Sequence, residues 1–224
     1  MDIHKPKPWH SVREFLKEYV IIVVGVLTAL GAEQAAEWMR WQHEITAGRE
    51  HLREEIRFDE RVYAHRVDVA SCVQKNLAAL KIMIAGLRSD QHADPVPDFI
   101  SPENGPVRHE IWNSLSAAQV LVHFPKDELQ RYSQFYQDRE DDEYFMDRES
   151  RAWRQMHLLE GDPNRLSKQE IGALWVTAGE AEEMSQGVAL ISQSQVDVGR
   201  ALGIEIPKPN LSRRDECKAI LATP

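Results

Sequence analysis

The chain has 224 residues, 42% hydrophobic and 28% charged, with 36 acids against 27 lysines and arginines for a net charge of -9. That length suits one ordinary domain plus a short appendage, and the hydrophobic content suffices for a packed core. The acidic balance argues against a general phosphate-backbone binder, which needs a basic face to displace counterions, so nucleic acid is not an expected partner.

Residues 1–10 form a leader with Lys5, Pro6, Lys7 and Pro8. Ser11-Val12-Arg13-Glu14 has capping-box spacing and predicts the start of a helix. Within it, Tyr19 to Ala32 runs fourteen residues without a charge. Such a run reads as a buried core helix, a removable export signal or a membrane anchor, since crossing the hydrocarbon takes about 20 apolar residues. The flanks favour the anchor. Phe15, Leu16, Ala35 and Ala36 lengthen the run, Lys17 can snorkel to the headgroups, and Tyr19 and Trp38 stand about 28 Å apart on a helix. A cleaved signal fits less well, because Glu14 and Glu18 sit in its basic region and no helix breaker follows the apolar centre. Residues 11–41 are therefore expected to be an anchor helix with its flanks. Lys5, Lys7, Arg13 and Lys17 before the span outnumber Arg40 and Arg49 after it, which predicts a cytoplasmic N-terminus and a domain over residues 42–224 on the outer side of the membrane.

Between Leu52 and Leu87 the apolar positions recur in helical, partly heptad fashion, as in Ile56, Tyr63, Ala70, Leu77 and Ile84, a coiled-coil-like packing seam. The helix either runs unbroken from the membrane or bends near Gly48. Asp90 to Pro106 carries four prolines and reads as a surface connection at the far end of that helix. A short helix over Val107 to Ala118 follows, then AQVLVHF as an extended link. Pro125-Lys126-Asp127-Glu128 opens a helix expected to last to Glu160. Gly161 to Asn164 is a turn, and Ser167-Lys168-Gln169-Glu170 is a second capping box whose helix stops near Gly203. Strand patterns are almost absent. The expectation is an all-α fold, with the anchor helix followed by an antiparallel bundle of three long helices and short accessory helices.

The leader HKPKPWHSVREFLKEYVIIVVGVLTALGAEQAAEW and the later EIWNSLSAAQVLVHFPKDELQRYSQFYQ resemble a family of uncharacterised bacterial proteins with a single N-terminal membrane helix. Trp112, Leu115, Ala117, Ala118, Val120, Val122, Leu129 and the Phe135-Tyr136 pair stand where that pattern has an aromatic residue, a leucine, a small-residue turn, alternating apolar residues and a leucine-rich helix with paired tyrosines. Gln119 replaces the glycine often found in the turn. The resemblance covers about half the chain and implies an anchored helical domain without supplying an activity; with the charge orientation it implies a bacterial inner-membrane protein whose residues 42–224 are periplasmic.

No glycine-rich phosphate loop, G-x-S-x-G elbow or H-E-x-x-H pair occurs. His51 with Glu54, His65 with Asp68 and His157 with Glu160 each lie one helical turn apart, but none has the Glu-x-x-His order of a di-metal bundle, so scattered surface histidines, no metal and no cofactor are expected. Charged positions interrupt two apolar seams: Asp59 and Arg66 on the first long helix, Arg139 and Glu143 on the next. Their meeting would build a polar layer in which arginines satisfy carboxylates, or a pocket for a small polar ligand. Gly25, Ala29, Ala32 and Ala36 share one face of the span and would let it pack closely against a second copy or another membrane protein. Cys72 and Cys217 are too far apart in sequence for a zinc cluster or a C-x-x-C pair. In an oxidising compartment they are expected to form a disulfide, brought together by a short returning helix that starts at Ser212-Arg213-Arg214-Asp215. The expected role is a noncatalytic, membrane-anchored interaction or scaffold protein. The alternative is a periplasmic, sensor-like module that binds a small molecule and signals through a membrane partner.

Overall fold

A computed structural model describes residues 12–137, 139–205 and 217–220. The described chain is all-helical, 81% helix, and contains no strand. In chain order the α-helices are α1 (Val12–Arg88), α2 (Glu110–Ala117), α3 (Lys126–Gln137), α4 (Arg139–Met156) and α5 (Lys168–Ala201). Short 3-10 turns occupy Leu121–His123, His157–Leu159 and Pro163–Arg165.

α1 is one helix of 77 residues, roughly 115 Å long, and it passes through Gly48 without interruption. Gly48 serves packing instead: a Cβ there would stand 3.2 Å from Leu115 Cδ2. The N-terminal part of α1 contains the one described helix segment long and apolar enough to cross a membrane, an 18-residue window with mean hydropathy 1.9 and no residue buried. A core helix would be covered by the rest of the chain, and this one is not. Burial begins at Ile45 and continues to Leu87.

Ion pairs and hydrogen bonds set the relative directions of the long helices. Lys168 pairs with Asp90 at 3.0 Å, Lys81 pairs with Glu182, and Arg53 donates to the Gly203 carbonyl at 3.0 Å, so α5 runs antiparallel to α1. Thr177 with Gln155 and Glu180 with Arg148 likewise make α5 antiparallel to α4. α1 and α4 run in the same sense, because Tyr63 meets Asp142 and Arg66 meets Glu149.

That parallel pair requires the chain to travel back along α1 first, which corrects the reading of residues 90–106 as a connection at the far end. Gly105 lies against Val62, the Arg108 amide donates to Asp59, the Ile111 amide donates to Glu55, and Leu115 lies against Gly48. Residue numbers rise along the connection as they fall along α1. Carboxylates projecting from α1 satisfy the amides of a segment that makes almost no ladder of its own, the requirement for laying irregular backbone on a helix. Val96 does pair with Gly161, amide to carbonyl in both directions at 2.8 Å, which pins the upper part of the connection.

The expected extended link at AQVLVHF is instead a capped helix end followed by a 3-10 turn. Val120 donates to the Leu115 carbonyl and Gln119 to Ser116, both at 3.0 Å, with Gln119 at φ 58°. This is a Schellman end with glutamine in the left-handed position that glycine usually takes. Val120, Leu121 and Phe124 turn inward from it. The helix expected from Pro125 to Glu160 is described as α3 and α4 on either side of Asp138, which lies outside the described residues. The capping box at Ser167 and Glu170 is present with both of its hydrogen bonds.

Two apolar clusters fill the interior. One gathers Ile45 to Tyr63 of α1 with Phe124, Tyr132, Phe135, Met146, Val188 and Val196. The other gathers Val69 to Leu87 with Trp153, Met156, Leu159, Leu174, Ala178 and Ala181.

Candidate functional site

At the level where the two clusters meet, the interior becomes polar. Arg66 and Glu149 are 1% and 0% exposed, and the guanidinium donates to Glu149 Oε1 at 2.6 Å. Ser185 donates to the same oxygen, and Asn104 donates to Oε2 at 2.7 Å. One turn away the Tyr63 hydroxyl donates to Asp142 at 2.5 Å. α1, α4, α5 and the returning connection therefore each contribute to a single layer. Glu149 is thereby satisfied by three donors of the chain, as a buried carboxylate requires, whereas Arg66 meets it through Nη2 alone and its Nε and Nη1 are buried without a hydrogen-bond partner.

The sequence-predicted members are distributed differently from expectation. Arg66 is in the layer. Asp59 is fully buried but accepts from the Arg108 amide at 2.8 Å, holding the connection. Glu143 is exposed, and Asp142 takes the inward place instead. The reason is geometric: from Arg139, steps of three and four residues both return to nearly the same face, and the seam through Met146, Glu149 and Trp153 selects 142. Arg139 opens α4, and its side chain lies outside the described residues. Sequence reading missed Glu149 and Asp142 inside an acidic run that resembles a solvated face. Their seven-residue spacing was the available clue.

Glu55 and Glu60 complete the buried acids of α1. Glu55 accepts from the Ile111 amide at 2.8 Å and the Tyr136 hydroxyl at 2.7 Å, so it caps the N-terminus of α2 from another helix. Glu60 is 0% exposed and neither carboxylate oxygen has a hydrogen-bond partner. It sits on the α-carbon of Gly199, where α5 crosses α1 so closely that a Cβ would collide with the carboxyl group. Burial pushes the Glu60 carboxyl up to about 7, Arg200 opposes that, and Asp59 and Asp197 add to it.

A third cluster joins the connection to the end of α4. His157 Nε2 lies 2.8 Å from Ser101 Oγ, and its Nδ1 lies 2.7 Å from Glu160 Oε1. The ring of Phe99 stacks on the imidazole at 4.5 Å, and the Phe99 amide donates to Glu160 at 3.1 Å. Partial burial pushes the Glu160 carboxyl up, but the hydrogen bonds from His157 and the Phe99 amide outweigh it and hold the group below its ordinary value. Sequence reading had paired His157 with Glu160 but missed Ser101, which is 56 residues away. Among the described residues no group of three or more His, Cys, Asp or Glu is arranged to hold a metal ion.

Cys72 and Cys217 are joined as a disulfide with their α-carbons 5.2 Å apart. Asn76 holds the same short segment, donating to the Lys218 carbonyl at 3.0 Å and accepting from the Ile220 amide at 3.3 Å. The returning helix expected from Ser212 to Asp215 lies outside the described residues. Gly25, Ala29, Ala32 and Ala36 are all exposed on the uncovered part of α1.

Comparison with family models, with curated proteins and with solved structures found no match.

Proposed function

We propose that this is a single-pass, membrane-anchored interaction or scaffold protein of the bacterial inner membrane. Its N-terminus faces the cytoplasm, and its helical domain stands in the periplasm as a bundle of α1, α3 with α4, and α5. The observation that carries the reading is the continuity of α1: an apolar window with no residue buried runs without a break into the helix that organises the core. A helix left uncovered over that length needs a second solvent, and a bilayer is the one that suits it. The disulfide between Cys72 and Cys217 supports an oxidising compartment for the domain. The charge bias of Lys5, Lys7, Arg13 and Lys17 supports the orientation. Gly25, Ala29, Ala32 and Ala36 form the face through which the span associates with a second copy or another membrane protein. The polar layer works as an internal ion-pair network, since chain donors already occupy Glu149.

Membrane fractionation with protease protection tests the reading. The expected result is a carbonate-resistant membrane protein whose domain is cleaved only after the outer membrane is opened, with residues 1–10 retained. A soluble protein, a domain protected inside spheroplasts, or a mature N-terminus near Ala32 would overturn it.

A further inference from the structure

Ser101, His157 and Glu160 carry chemistry that an interaction surface does not require. A serine hydroxyl is a weak nucleophile unless a base takes its proton, and a histidine is an efficient base when a carboxylate orients its other nitrogen. Both distances, 2.8 and 2.7 Å, are within hydrogen-bond reach. With Glu160 held as the carboxylate, the imidazole proton belongs on Nδ1, which leaves Nε2 to accept from the Ser101 hydroxyl. The stacked Phe99 ring keeps the imidazole in that plane. The three groups come from the connection, the turn after α4 and the residue that follows it, and the Val96–Gly161 pairing fixes their separation.

We propose that Ser101 is an acyl-accepting nucleophile, activated by His157 and oriented through Glu160, and that it acts on carboxylic esters. In the first step Ser101 Oγ bonds to the ester carbonyl carbon while its proton passes to His157 Nε2. The carbon–oxygen bond to the leaving alcohol then breaks, and the alcohol departs with that proton. Water attacks the acyl-serine, again giving a proton to His157, and the carboxylic acid leaves as Ser101 Oγ recovers the proton. Ester and water become acid and alcohol, with no oxidant or other co-reactant.

The full chain in mild detergent, treated with a fluorophosphonate probe and mapped by mass spectrometry, decides the matter. The expected result is a single adduct on Ser101, absent in Ser101→Ala and formed roughly a hundredfold more slowly in His157→Gln, the loss a missing general base produces. p-Nitrophenyl butyrate hydrolysis should fall in parallel, with both variants retaining the wild-type thermal unfolding profile. Folded wild-type protein that gives no Ser101 adduct would overturn the proposal. So would an adduct whose rate is unchanged in His157→Gln, since a clasp without chemistry behaves that way. Neither outcome depends on the membrane topology proposed above.

Discussion

Replacing Glu60 with glutamine should remove a specific pH dependence from the stability of the domain. The Glu60 carboxyl titrates near 7 in the folded protein against 4.5 as its ordinary value. Because the folded value is the higher one, the neutral form is favoured by folding. The associated stability is fully present below pH 4.5, declines as the unfolded chain ionises first, and is lost as pH rises through 7. The difference of 7 − 4.5, at about 1.4 kcal/mol per pH unit, makes the wild type about 3 kcal/mol less stable at pH 8 than at pH 4.5 through this group alone. The charges facing it are Arg200 and Asp197 on α5 and Asp59 on α1, and desolvation dominates all three. The assay is thermal unfolding of the full chain in mild detergent between pH 4.5 and 8, wild type against Glu60→Gln. Other carboxylates titrate equally in both proteins, so the difference isolates Glu60. At 2–4 °C per kcal/mol for a chain of this size, the variant should gain roughly 10 °C on the wild type across that range. A difference that does not change with pH would refute the reasoning, because a glutamine unable to make hydrogen bonds costs the same at every pH.

Removing one partner of the polar layer, as in Arg66→Met, should destabilise the protein by about 3–5 kcal/mol by leaving Glu149 buried and unmatched, whereas Arg66→Met with Glu149→Leu should recover most of the loss; denaturant titration of both variants checks this. Reduction of the Cys72–Cys217 bond, which closes a sequence separation of 145, should cost about 5 kcal/mol in the loop-entropy estimate. Thermal unfolding with and without reductant measures it, and two free thiols in the unreduced, denatured protein would contradict the bonded pair.

The sequence by itself determined what depends on neighbours in the chain. The helical period, the uncharged run from Tyr19 to Ala32, the capping box at Ser167 and the glycine that ends α5 near Gly203 are local, because side chains three and four residues apart share a face and cap residues act on amides within one turn. They were enough for an all-helical chain with one uncovered apolar segment. Tertiary structure decided the rest. Whether Asp142 or Glu143 faces inward is a choice between steps of three and four that only the packing of Met146, Glu149 and Trp153 resolves. The sense of α4 relative to α1 depends on where residues 90–109 travel, and their direction follows from Glu55 and Asp59 accepting amides some fifty residues later in the chain. Ser101 reaches His157 for the same reason. Contacts between distant segments leave no period in the sequence, and they form only when burial makes each unsatisfied amide, carboxylate or hydroxyl find its partner.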